Sequence, residues 1–187
     1  MRIISGTFKG KKILEPVDKN TRPLKDLTKE SIFNIITHSS KFEIRLNNSN
    51  ILDLFSGVGS FGIECLSRGV NKVIFIENYK LVLSVLKKNL KNLKSINNYE
   101  IIEENIFNDN VLSRLNYRFD IIFLDPPYKN KKIDELLKII KNVNILNDNG
   151  VIILHRHKKE KDFFSPFIKV LDEKNYGISK IIFLTFL

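Results

Sequence analysis

Ile51-Leu52-Asp53-Leu54-Phe55-Ser56-Gly57-Val58-Gly59-Ser60-Phe61-Gly62 decides the fold. An apolar run of strand length, 51–55, ends in a glycine turn, and a helical pattern follows over 61–68. Glycines permit a sharp bend and let a ligand approach the backbone. The helix start then turns its free N–H groups toward that ligand. The spacing Gly57, Gly59, Gly62 fits G-x-G-x-x-G, a pattern that by itself does not choose between cofactors.

Outward from this turn, apolar runs alternate with helical patterns. Residues 72–77 read as a strand, and 80–93 as a helix with Leu81, Val85, Leu86, Leu90 and Leu93 on one stripe. Residues 99–102 read as a strand, followed by a short helix near 109–115. A continuous apolar strand spans 119–124, a helix 133–140 and a strand 150–154. Two strands in succession, 167–171 and 178–186, close the pattern. Such alternation predicts an α/β fold: a mostly parallel seven-stranded sheet with helices on both faces and an antiparallel hairpin at one edge. No internal repeat interrupts it.

The segment before the turn is different. Residues 2–6 and 11–14 are short strand candidates around a turn bracketed by Gly6 and Gly10, which predicts a small hairpin bearing Arg2, Lys9, Lys11 and Lys12. Pro23 biases Arg22 toward an extended conformation. Residues 28–36 read as a helix, with Asp26 or Thr28 as its cap. Residues 39–50 are polar apart from Phe42, Ile44 and Leu46 and read as a link to the main domain.

The 187 residues, 43% of them hydrophobic, suit one domain with a small extension. No apolar run is long enough to span a bilayer, and the start lacks a secretory pattern. The single cysteine, Cys65, excludes an internal disulfide and suits a reducing compartment, so a cytoplasmic protein is expected. It reads as a core filler. The net charge of +10 and pI of about 9.6 fit a polyanionic partner, nucleic acid most simply. A Lys-, Asn- and Ile-rich composition from an AT-rich genome produces the same bias.

Ligands of open parallel sheets sit beyond the carboxyl ends of the strands. That rule gathers Ser56-Gly57, Glu77, Asn105 and Asp125-Pro126-Pro127-Tyr128 on one rim. Glu77, twenty residues after Gly57, stands where an acid accepts hydrogen bonds from ribose hydroxyls. Asn105 and Ile106 stand where an adenine would lie, the amide at its edge and Ile106 over its face. Two prolines after a buried strand cannot continue the ladder. They leave the Pro126 carbonyl beside the Asp125 carboxylate, two acceptors for an N–H₂ group, with Tyr128 as an aromatic platform. Asp-Pro-Pro is also a plain turn.

Asp53-Leu54-Phe55-Ser56-Gly57-Val58-Gly59 together with Asp125-Pro126-Pro127-Tyr128 resembles S-adenosylmethionine-dependent methyltransferases acting on exocyclic amino groups. Arg2-Ile3-Ile4-Ser5-Gly6, Lys9-Gly10, Thr21-Arg22-Pro23 and Lys29-Glu30-Ser31-Ile32-Phe33-Asn34 narrow the resemblance to the bacterial family that methylates guanine N2 in small-subunit (16S) ribosomal RNA. The resemblance runs from residue 1 to about 128, and on to Tyr176-Gly177. It implies a basic hairpin extension over 1–23 and a Rossmann-like methyltransferase domain over 24–187. It implies S-adenosylmethionine held by Asp53, Phe55, Ser56, Gly57, Gly59, Glu77, Asn105 and Ile106. Catalysis would fall to Asp125, Pro126, Pro127 and Tyr128, and RNA contacts to Arg2, Lys9, Arg22 and Tyr128. A monomer acting on ribosomal RNA or an assembling small subunit is expected, with no metal and no membrane.

The chain departs from the family after the fifth strand. There the family usually carries an acid, and His155-Arg156-His157-Lys158-Lys159 stands instead, either an RNA contact or a solvated loop. Asp-Pro-Pro-Tyr is shared with adenine-N6 DNA methyltransferases, and the glycine turn with Glu77 also fits a nicotinamide-dependent oxidoreductase. The latter leaves the diproline corner and the basic hairpin unexplained.

Overall fold

The computed structural model describes residues 1–16, 18, 24–94, 96–108, 110–127 and 132–187. The parallel strands are β1 (Asn50–Leu54), β2 (Lys72–Ile76), β3 (Tyr99–Ile102), β4 (Phe119–Leu124) and β5 (Leu146–His157), and β6 (Ile168–Tyr176) and β7 (Ser179–Phe186) follow. They form one seven-stranded sheet in the order β3-β2-β1-β4-β5-β7-β6. The β5–β7 and β6–β7 pairs are antiparallel and the rest parallel. The strand order reverses between β1 and β4, which is where such sheets open a ligand crevice.

Side chains alternate across the strands. Ile51, Ile121, Phe123, Val151 and Ile153 pack on one face, under α1 (Asp26–His38), α2 (Ser60–Ser67) and α3 (Lys80–Lys91). Leu52, Leu54, Ile122, Leu124, Ile152 and Leu154 pack on the other, under α4 (Ile133–Asn142). Both faces are apolar because both are covered.

Several local readings change. The N-cap position of α1 is Lys25, with no side-chain cap, because Asp26 already lies in the first turn and Thr28 is buried within the helix. Residues 110–114 turn rather than form a helix, and Asp109 lies outside the described residues. Leu81 is 54% exposed, whereas Asn89 points inward. Residues 39–50 are no plain link: Phe42 packs on Phe183 at 5.2 Å between ring centres, and Leu46–Asn48 form a 3-10 turn.

The hairpin forms with a single bridge, Arg2 to Lys12. Its apolar residues Ile3 and Ile13 are 1% exposed and join the main core. Glu64 of α2, fully buried, accepts the backbone N–H groups of Ile4 and Ser5 at 2.8 and 2.9 Å. Thr7 N–H bonds Ser67 O at 2.7 Å. Asn89 of α3 bonds both backbone groups of Leu14 and the Val58 carbonyl, so one buried amide ties the hairpin to the glycine turn.

Candidate active site

A cavity of about 780 Å³ opens at the carboxyl ends of β1, β2 and β4, within the range of small-molecule sites. Asp53, Phe55, Ser56, Gly57, Glu77, Asn105, Asp125, Pro126 and Pro127 all line it. The strand ends converge because β1 pairs with both β2 and β4, through Leu54 to Ile76 and Leu54 to Leu124. Asp125 N–H continues the β1 pairing onto Leu54 O at 3.3 Å, and the ladder stops at the prolines.

The glycine turn is held from two sides. Phe55 takes a positive φ of 58°, a conformation rare outside glycine, at the point where the strand breaks toward the cavity. Gly57 N–H donates to Glu77 Oε2 at 2.8 Å, and Gly59 N–H to Ser56 O at 2.8 Å. Glu77 Oε1 accepts the N–H groups of Asn78 and Tyr79, both at 2.9 Å. The half-buried Glu77 carboxylate thus sits fixed at the rim, with about one lone pair, on Oε2, left for a ligand's hydroxyl. Asp53 is 1% exposed and accepts Gly62 N–H through Oδ2 at 2.9 Å. Burial pushes its carboxyl well above the usual range; the Gly62 N–H opposes this, and the charges of Asp125 and Glu77 add to it. Asn105 is exposed, its Oδ1 accepting Phe107 N–H at 3.0 Å, which leaves its amide nitrogen for a ligand.

Two expected cofactor contacts lie elsewhere. Ile106 is 5% exposed and packs into the α4-side core; the turn there sends Phe107 to the cavity, 6.2 Å from the Phe55 ring. Gly59 is not in the lining. Its φ of 84° and a Cβ that would meet Leu86 Cδ1 at 2.4 Å explain the glycine by turn geometry and helix packing. Arg2 and Lys9 are exposed on the hairpin, away from the cavity lining. Arg22 and Tyr128 lie outside the described residues. Cys65 is fully buried, and burial holds its thiol well above the usual value, as suits a core filler.

The basic stretch is neither a loop nor, at its start, solvated. His155 and Arg156 are interior residues of β5, 6% and 3% exposed. Arg156 is ion-paired with Asp162 at 2.9 Å and Glu160 at 3.6 Å. His155 lines the cavity, with Nδ1 2.8 Å from Asp125 Oδ1 and Nε2 2.9 Å from Ser179 Oγ. Leu124 pairs with Leu154 in the β4–β5 register, so Asp125 and His155 are the next residues of adjacent strands on the same face. That parity was the available signal for this neighbour. A carboxylate beside a backbone corner, a fixed second acid and the aromatic rings of Phe55 and Phe107 in one cavity can bind a nucleoside-like ligand and hold an amine by its N–H groups.

The family described as Conserved hypothetical protein 95 matches residues 1–185. A ribosomal RNA small subunit methyltransferase D of Haemophilus influenzae is 33% identical over 95% of this chain and 90% of its own. A provisionally named methyltransferase structure of Escherichia coli superposes with a TM-score of 0.79 and 25% identity, covering 98% of this chain and 96% of that one. A provisionally named methylase structure of Haemophilus influenzae gives 0.74 and 31%, with the same coverage. With the fold, the hairpin and the strand-end acids all in place, the chain belongs to the ribosomal RNA small subunit methyltransferase D family.

Proposed function

We propose that the protein transfers a methyl group from S-adenosylmethionine to the N2 amine of a guanine in small-subunit ribosomal RNA. The observation that carries this reading is the meeting of the Asp125 corner and the Gly57–Glu77 rim in one cavity.

The residues present fit the cofactor. In this reading Glu77 takes a ribose hydroxyl, the Asn105 amide a base edge, Phe107 a base face, and the buried Asp53 an amino group, directly or through water; all four line the cavity. When bound, S-adenosylmethionine supplies an activated methyl group, and the protein's task is positioning. A guanine amine is a weak nucleophile because its lone pair is delocalised into the ring. Asp125 and the Pro126 carbonyl accept its two N–H groups, turning the lone pair away from the ring and toward the cavity. Orientation of this kind contributes roughly 7–11 kcal/mol in favourable cases. The nitrogen gains a methyl and sheds a proton, which Asp125 receives. A paired guanine cannot enter the cavity, so the nucleotide must leave its stack.

The charge of +10 and the exposed hairpin cations support an RNA partner. A monomer acting in the cytoplasm on ribosomal RNA or an assembling small subunit is part of the proposal; among the described residues, no helix is long and apolar enough to cross a membrane. The test is to map modified bases in ribosomal RNA from cells with and without the gene. Loss of one N2-methylguanine, restored by the wild type and not by Asp125→Ala, is the expected result. Loss of N6-methyladenine instead, or no change, would overturn it.

A further inference from the structure

Asp125 does not stand alone on the cavity floor. Both nitrogens of the His155 ring are engaged, Nδ1 on Asp125 and Nε2 on Ser179, so the ring cannot turn without breaking both bonds. Facing an ionised carboxylate, Nδ1 carries the hydrogen and donates it. Nε2 accepts from the Ser179 hydroxyl when the ring is neutral and donates to it when charged, since a hydroxyl serves either role by rotating. The arrangement therefore accommodates both charge states without moving. Asp125 Oδ2 has no hydrogen-bond partner among the described residues, and the Asp125 side chain keeps 23% of its surface exposed.

We propose that His155 is a positioning residue for Asp125: it ties down Oδ1, leaves Oδ2 to the reacting amine, and sets that oxygen's effective charge by its own protonation. This rests on the amine-methylation reading above. The groups facing the imidazole are Asp125 at the end of β4, Arg156 beside it on β5 and Ser179 on β7, with Asp53 and Glu77 lining the same cavity. Burial pushes the imidazole down, but the charge and hydrogen bond of Asp125 outweigh burial and Arg156, and hold it above the ordinary 6.5. Below that titration a cationic ring neutralises Asp125 and adds positive charge beside a site for a cationic methyl donor. Above it the ring is neutral and Asp125 keeps its full acceptor strength. The methylation rate should rise with pH across this step.

Two measurements test the proposal. The first follows the ring signals of the chain's three histidines by NMR in the protein alone, without cofactor or RNA. Asp125→Asn should move the His155 midpoint down by about one pH unit or more. The second is the single-turnover rate of methyl transfer against pH. His155→Asn, whose Nδ2 can occupy the donor position of Nδ1 without titrating, should stay active but lose the rise. His155→Ala should be slower at every pH, by about 100-fold if the carboxylate drifts by an ångström. A midpoint indifferent to Asp125→Asn, or a His155→Asn profile that superimposes on wild type, overturns the proposal. A midpoint that follows Asp125 in a protein that methylates no guanine supports the pairing and defeats the functional reading instead.

Discussion

The Gly57 backbone N–H donates to the Glu77 carboxylate over 2.8 Å, so the bend after β1 is fastened to the end of β2. Glu77 shapes the cavity wall, through this bond and those to Asn78 and Tyr79, and keeps about one lone pair, on Oε2, which the proposed reaction assigns to a ribose hydroxyl. Hydrogen bonds to a charged group contribute about 1.5–3 kcal/mol each. Glu77→Ala should weaken S-adenosylmethionine binding at least tenfold in calorimetry. Glu77→Gln, which keeps one acceptor oxygen, should lose less. Unchanged affinity in Glu77→Ala would remove the ribose role.

Asp53 gives a pH signature. Its folded carboxyl holds a proton to higher pH than the unfolded one, whose ordinary value is 3.8. Where the folded state binds more protons, stability falls as pH rises, beginning at the unfolded value and continuing through the folded one. Asp53→Asn can still accept the Gly62 N–H but does not titrate. Urea midpoints of variant and wild type should therefore diverge in the variant's favour as pH rises through that window. Parallel curves would show that Asp53 carries no such penalty.

Much of this architecture was legible from residue pattern. β4 begins and ends where its apolar run does, because a central strand covered on both faces needs near-continuous hydrophobicity, and the edge strand β3 keeps the expected bounds 99–102 although its Glu100 is exposed. The terminal hairpin followed from two strands with no helix between them. What escaped depends on contacts between distant segments. Asp125 and His155 are thirty residues apart and meet through strand register, so His155 read as the start of a basic loop. The inward turn of Asn89 has no local signal, because nothing in its own helix reveals that Val58 and Leu14 need its amide. Ile106, expected over an adenine face, turns into the core and Phe107 lines the cavity, because a turn, unlike a strand, imposes no alternation that fixes which side chain faces inward.

Gly62 tests how tightly the cofactor-side helix seats. A Cβ there would lie 2.3 Å from Phe75 Cε1 and 2.9 Å from Asp53 Oδ2. Overpacking of this kind costs about 1–3 kcal/mol, against a helix-propensity gain from glycine to alanine of about 1 kcal/mol. With contacts this short the cost falls at the upper end, so the net loss of about 2 kcal/mol should lower Tm by roughly 4–8 °C in calorimetry. A Tm equal to or above wild type would mean that α2 can shift away from β2 freely.

Glu64 joins the hairpin to the domain. It receives Ile4 and Ser5 N–H, Arg68 Nε at 2.9 Å and Lys29 Nζ at 3.6 Å, and Lys29 itself is fully buried. Removing one member of a buried charge cluster costs about 3–5 kcal/mol, because the others remain desolvated. Glu64→Ala should lower the urea midpoint and speed amide exchange at Ile4 and Ser5 well beyond the change at Ile121. Uniform acceleration across the sheet would mean instead that the hairpin and domain open as one unit.

Arg2 and Lys9 carry the RNA hypothesis on the hairpin. Arg2 keeps 74% of its side chain exposed despite a 4.0 Å approach to Asp26, and Lys9 is exposed. If both neutralise phosphates, binding to a ribosomal RNA fragment should fall steeply with salt. Each lost contact should then reduce the slope of log K against log salt by about 0.7–0.9. Arg2→Glu with Lys9→Glu should flatten the slope and raise the apparent KM for RNA, leaving the affinity for S-adenosylmethionine unchanged because neither side chain lines the cavity. A slope identical to wild type would move the RNA path off the hairpin, toward the Lys25 side of the cavity mouth, where a cation does stand at the rim.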